Sequence, residues 1–252
     1  MIKKILLATA LVASTTFATW DKFPVLEQGK GQAHVGVGYN MQGDVSQMGI
    51  YAGARYAVIP NLELGLNLPY TIFTDINGKD GADGLGNLAF MLRYQFMPIM
   101  NAFLDVDFPI GEEDLVDDGF GFHAGVQYSN NFGMFSLGSE LGFALATEGD
   151  DKITPAYELN VGAELDFAVS SLVTPYVGAD LNIKVTYTEY DGEFADVEAD
   201  DSGDMGVWIY VGGDFIINPM FDVDVSVGFG LGEDYYGEDT PISIDVHANI
   251  NF

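Results

Sequence analysis

The feature that most constrains this chain is an alternation of apolar and polar residues at period two, returning twelve times between Ala33 and Phe252. Leu62, Leu64, Leu66, Leu68 and Tyr70 form one apolar line, with Glu63, Gly65, Asn67 and Pro69 between them. The stretch from Tyr157 to Phe167 repeats the pattern, with Glu158, Asn160, Gly162, Glu164 and Asp166 on the opposite parity. The final run, Ile244, Val246, Ala248, Ile250 and Phe252, ends the sequence on an aromatic. Period two is the mark of a strand whose faces meet different surroundings. Runs of about ten residues are long enough to cross a hydrocarbon core when tilted.

A sheet placed in lipid has no water to satisfy unpaired backbone groups, so it has to close on itself. The pattern therefore predicts an all-β fold, a closed antiparallel transmembrane β-barrel of about 12 strands. Its apolar parity faces lipid and its polar parity lines the interior. A soluble sandwich or lipocalin-like barrel would turn the apolar face inward instead. Tyr39, Tyr70, Phe73, Phe96, Phe108, Phe132, Phe215, Phe221 and Phe252 gather near strand ends, where aromatic girdles meet the membrane interface.

The connections alternate in character. Short ones at 59–61, 97–99, 130–133, 170–171 and 217–219 are interleaved with acidic, mostly longer ones at 74–84, 111–119, 146–154, 189–204 and 232–240. The first connection, near 41–46, is short. These six acidic-side segments hold 24 of the 38 acidic residues, so much of the formal charge of -29 sits at one end. Short turns opposite long loops are the asymmetry of outer-membrane barrels. An even strand number then leaves both termini on the short-turn, periplasmic side.

Ahead of the barrel, MIKKILLATALVASTTFA carries Lys3 and Lys4, an apolar run from Ile5 to Ala13 and a small-residue exit. That order predicts a signal peptide cleaved after Ala18. The chain thus divides into a leader (1–18), a short periplasmic segment (19–31) and the barrel (32–252). The segment either tucks into the barrel mouth, with Trp20 and Phe23 as anchors, or stays disordered. No later apolar stretch is long enough for a transmembrane helix. The absence of cysteine suits an exported protein that does not rely on disulfides. Strong acidity excludes nucleic acid as a partner, because little is available to neutralise phosphates.

The stretch NLELGLNLPY (61–70), followed by GLGNLAFMLRYQF (84–96), resembles the outer-membrane transporter-like family labelled "MetA-pathway of phenol degradation". That family shares a strand ending in a Pro-aromatic pair, a glycine-bearing loop, then G-L-G-[DN]-L opening a strand that ends in [KR]-Y-x-F. Here Asn87 stands where aspartate is common, and Arg93 takes the basic position. The resemblance covers residues 33–110 well and the remainder by pattern. It implies a barrel passing small, often hydrophobic molecules, and it does not identify the solute.

The inward parity carries Arg55, Arg93 and Lys184 as its cations. Against them stand Glu63, Asp105, Asp107, Glu140, Glu158, Glu164, Asp166, Asp180, Asp214, Asp222, Asp224 and Asp245. The candidate pore-lining set is Arg55, Glu63, Arg93, Asp105, Asp107, Glu140, Glu164, Asp180, Asp222, Asp224 and Asp245. A water-filled lumen of this sign repels anions and favours cations or neutral solutes. Arg55 and Arg93 are placed to pair with Glu63 and Asp107 as a charged constriction. The same charges equally allow wall-to-wall salt bridges that plug a narrow barrel.

Nothing in the spacing singles out a catalytic set, so no enzymatic role is expected. His34, His123 and His247 all share the inward parity, and no serine stands beside them on the lipid face. Strand closure brings His34 near His247 and Asp245, which reads as polar lining at the seam rather than as a metal site. The acidic stretch EADDSGD (198–204) lacks EF-hand spacing. No cofactor is expected. Two functional readings follow. The first is passive passage of small solutes, neutral, hydrophobic or cationic. The alternative is a structural or surface-adhesion barrel acting through its acidic extracellular loops. Expected partners are outer-membrane lipid, lipopolysaccharide bridged to the loops by divalent ions, and the barrel-assembly machinery through the C-terminal strand ending in Phe252.

Overall fold

Each alternating run becomes one strand. In the computed structural model, which describes residues 24–252 apart from 117, 151 and 192–198, the wall runs in chain order. Its first half is β1 (Gly31–Gln42), β2 (Val45–Ile59), β3 (Leu62–Ile76), β4 (Leu88–Met97), β5 (Met100–Phe108) and β6 (Gly121–Asn131). Its second half is β7 (Phe135–Ala146), β8 (Glu158–Phe167), β9 (Val173–Lys184), β10 (Met205–Asn218), β11 (Phe221–Leu231) and β12 (Ile242–Asn251). Sequence neighbours pair antiparallel throughout. β1 then pairs with β12, from Gln32 opposite Asn251 to Met41 opposite Ile242, which closes the 12-strand barrel. Closure leaves no open edge, as lipid demands. The leader, Trp20 and Phe23 lie outside the described residues. Among those described, no helix is long and apolar enough to cross a membrane.

Burial is inverted relative to a soluble barrel. Outward-facing Val35, Leu66, Leu141, Val211 and Ile250 are exposed, while inward-facing Asn67, Asn101, Gln127 and Glu164 are buried. Asn101 and Gln127 are 0% exposed against 50% for Ile250. An apolar surface this extensive belongs in hydrocarbon, which is the physical reason the lipocalin-like alternative fails.

The connections keep the asymmetry of the sequence. At the short-turn end, Asn61 turns β2 into β3 with φ 64°, a left-handed conformation that asparagine tolerates. At the long-loop end, a register shift at Met48/Gly49 on β2 opposite β3 leaves both Ile72 and Phe73 exposed and returns Thr74 to the interior. The described part of the N-terminal segment does tuck in at the short-turn end. Val25 is buried, Gly29 N–H donates to Ala57 O at 2.9 Å, and Ala57 N–H donates to Lys30 O at 3.0 Å. A short helix, α1 (Glu233–Tyr236), forms in the last long loop.

Candidate functional site

The interior is organised as a girdle a few residues in from the short turns, to which every strand contributes. Its seam sector is a chain of hydrogen bonds. Asp222 on β11 accepts from the side-chain amides of Asn249 (2.6 Å) and Asn251 (3.0 Å) on β12. Gln32 on β1 donates to Asn251 Oδ1 at 2.9 Å and accepts from Arg55 Nε on β2 at 2.8 Å. Arg55 Nη1 meets Glu63 Oε1 on β3 at 3.4 Å, and the other oxygen of Glu63 accepts from the Leu26 backbone N–H at 2.9 Å. The polar parity thus ties the first strand to the last and anchors the N-terminal segment.

From β4 to β8 the girdle is packed. Arg93 forks onto Asp105, with Nη2 to Oδ2 at 2.9 Å, and its guanidinium lies 5.0 Å from the centre of the Phe103 ring. Gln127 donates to Glu140 at 2.7 Å, and His123 Nε2 stands 3.7 Å from the other Glu140 oxygen. Arg93, Asn101, Phe103, Gln127, Glu140 and Glu164 are all buried. Charges held this far from water are tolerable only when hydrogen-bonded or paired.

From β9 to β11 the wall is aromatic. Tyr176, Trp208 and Tyr210 form a buried cluster, joined by Tyr236 of α1. Their rings lie flat on neighbouring strands: a Cβ at Gly212 would strike the Tyr176 ring, one at Gly178 the Tyr210 ring, and one at Gly228 the Trp208 indole. Glycine is required there because the ring occupies the space a side chain would take. Tyr176 Oη donates to Asp224 at 2.8 Å.

Above this sector, α1 folds across the long-loop mouth. Tyr235 Oη donates to Glu158 on β8 at 2.8 Å, and Lys184 Nζ sits 5.5 Å from the centre of the Tyr235 ring. Gln42 on β1 donates to the carbonyls of Tyr236 and Asp239. Burial, followed by the Glu158 carboxylate, pushes the Tyr235 phenol far above its ordinary value, and burial pushes Tyr236 up to about 12.

Several expected residues meet here and some do not. Arg55 reaches Glu63 as anticipated. Arg93 does not reach Asp107: the β4–β5 register sets Arg93 opposite Phe103 and Met91 opposite Asp105, so Asp105 is the diagonal neighbour. Asp107 lies one pair further toward the long loops and is exposed, opposite Ala89 and Gly121. Glu164 is buried opposite Gly178 and Gly138, and Asp180 faces Gly162. Asp224 and Asp222 are engaged as described, Asp245 stands on β12 opposite Gly38, and Lys184 pairs with Asp201 at 3.1 Å. The uncharged members Asn67, Asn101 and Gln127 were not anticipated. Their signal in the sequence is an amide on the inward parity of an otherwise apolar strand.

A closed barrel with an apolar outer wall and a polar, hydrogen-bonded interior is a bacterial outer-membrane protein. The chain belongs to the family described as "MetA-pathway of phenol degradation", which matches residues 21–240. An outer membrane channel from Pseudomonas putida is similar in fold, at 13% identity and a TM-score of 0.74, covering 90% of this chain and 97% of that one. The translocator domain of the autotransporter NalP from Neisseria meningitidis has 9% identity and a TM-score of 0.61, covering 99% and 98%. The CymD monoaromatic hydrocarbon channel has 10% identity and a TM-score of 0.55, covering 90% and 89%. No curated protein sequence matches the chain.

Proposed function

We propose that the protein is a passive outer-membrane channel for small solutes, neutral, hydrophobic or cationic, with its short turns and both termini in the periplasm. One observation carries this reading. Each inward cation is matched to a carboxylate: Arg55 to Glu63, Arg93 to Asp105 and Lys184 to Asp201. The further carboxylates, Glu140, Glu164, Asp180, Asp222, Asp224 and Asp245 among them, therefore set the sign of the interior field. Such a field repels anions while admitting cations and uncharged molecules. The aromatic arc of Tyr176, Trp208 and Tyr210 supplies apolar interior surface, and the phenol in the family's name favours the hydrophobic end of the range. No chemical step is assigned to the barrel. Planar-bilayer recording across a KCl gradient tests the proposal. A reversal potential of the cation-selective sign is expected, and anion preference or absent conductance overturns it.

The packing of Asn101, Gln127 and Glu164 supports a second reading, a barrel whose acidic loops act at the surface while the girdle stays shut. Deleting residues 189–204 separates the two. A channel keeps its solute flux, whereas an adhesion or scaffold barrel loses surface binding, including any divalent-ion bridging to lipopolysaccharide.

A further inference from the structure

We infer that Asn101 on β5 is the gate of the passage, a side chain that blocks it while packed dry and clears it when water reaches its amide; this rests on the channel reading. Along β5 and β6 the interior is accessible from the long-loop end. Asp107 is exposed, and one inward position deeper the side chains of Asp105 and His123, opposite one another, are 21% and 31% exposed. Below them the wall shuts. Phe103 is buried, and Asn101 and Gln127, the next facing pair, are both 0% exposed. The accessible surface of these two strands therefore ends above Asn101.

The polar groups around Asn101 are committed elsewhere. Gln95, opposite on β4, donates to Pro98 O at 3.1 Å, and Gln127, opposite on β6, donates to Glu140 at 2.7 Å. Arg93 spends the two ends of its guanidinium on Asp105. Asn101 has no such tie. Neither its Nδ2 nor its Oδ1 finds a hydrogen-bond partner among the described residues, and neither does Arg93 Nε. Since both amide atoms lack a partner, exchanging the oxygen and nitrogen positions leaves the result unchanged.

A buried amide without partners forfeits the hydrogen bonds it made to water and regains them only when water returns. The dry packing is thus opposed by three atoms, Asn101 Nδ2 and Oδ1 and Arg93 Nε. The wall itself is held by the backbone ladder, in which Asn101 pairs with Gln95 on one side and Gln127 on the other. Wetting the side chain breaks none of those pairings. One rigid wall therefore carries a side chain with two arrangements, and water decides between them. An apolar residue of comparable bulk removes the cost of the dry arrangement, whereas a methyl group removes the obstruction.

Planar-bilayer recording in KCl on the native barrel, Asn101→Val and Asn101→Ala tests the inference. Heat-modifiable migration on a gel confirms that each variant has folded. The valine variant should spend a several-fold smaller fraction of time open, with a urea midpoint in lipid vesicles no lower than the native one. The alanine variant should show a several-fold higher mean conductance. A purely structural asparagine would lower the urea midpoint in both variants and leave the current unchanged. A valine variant that conducts like the native barrel, or an alanine variant with no gain, overturns this inference and leaves the channel reading intact. Absent conductance in the native barrel overturns both.

Discussion

Arg93 and Asp105 form a two-pronged pair inside the barrel, with Nη1 on Oδ1 at 2.5 Å and Nη2 on Oδ2 at 2.9 Å, although they are not directly opposed on β4 and β5. The diagonal geometry lets both planar groups meet edge to edge. Arg93 is 3% exposed and Asp105 21%, so it is the guanidinium that is not easily rehydrated if its partner is lost. Asp105→Leu is expected to cost about 3 kcal/mol, because it leaves the buried Arg93 guanidinium in the packed girdle without its anion. The double variant Arg93→Met/Asp105→Leu should recover most of that loss. Urea midpoints of the two variants in lipid vesicles check the order, and a double variant less stable than the single one would contradict it.

Tyr235 holds α1 over the mouth through its hydroxyl, while its ring stays in place by contact with Gly206 and Lys184. Tyr235→Phe keeps the ring and removes a hydrogen bond to a carboxylate, an interaction of about 2 kcal/mol. The expected result is a folded barrel with higher mean conductance and noisier current, as α1 leaves the mouth more often. Because burial raises the phenol's pKa, the hydroxyl stays protonated at all working pH values, and the native barrel should show no alkaline step from this bond up to about pH 9. Unchanged current noise in the variant would remove α1 as a cover.

The loop after β9 is anchored by Asp201. Burial raises its carboxyl, but hydrogen bonds from the Thr188 hydroxyl and backbone N–H and from Lys184 outweigh that effect, holding it below the ordinary 3.8. A carboxylate depressed in the folded state stabilises above its ordinary value, and that contribution is lost as pH falls through the depressed one. Protease resistance of this loop should therefore be flat from about pH 8 to 5 and decline only below the ordinary aspartate range. Asp201→Asn should be more readily cut near neutral pH and show no acid step.

Phe252 closes the seam with its backbone, donating N–H to Gly31 O at 2.9 Å and accepting from Gly31 N–H at 2.8 Å. Its ring lies against Gly31 yet remains 58% exposed, at the level where an aromatic girdle meets the interface. Since the backbone pairing survives substitution, Phe252→Asp tests the side chain alone. Less folded barrel should reach the outer membrane, while the barrels that do assemble should conduct normally. Normal assembly would remove Phe252 as a recognition signal for the assembly machinery.

Twelve strands, their antiparallel order and their two faces were readable because strand side chains alternate strictly, so a run such as Leu62 to Tyr70 declares which face meets lipid. The Arg55–Glu63 contact was readable too, because the short turn at Asn61 places the two ends of a hairpin together. Other contacts were not. Arg93 chose Asp105 over Asp107 through register and diagonal reach. The aromatic-on-glycine beds become recognisable only after pairing Gly36 with Tyr51, Gly178 with Tyr210 and Gly212 with Tyr176. The inward fold of α1 depends on contacts with strands distant in the chain, Glu158 on β8 and Gln42 on β1.

By itself, the sequence determined the wall: period two and the alternation of loop lengths depend only on neighbours along the chain and on the need of a sheet in lipid to close. The tertiary structure alone decided the interior. Curvature brings side chains from non-adjacent strands together, and register chooses among neighbours that composition leaves equivalent. Which carboxylates are engaged, and by which partners, follows from that convergence.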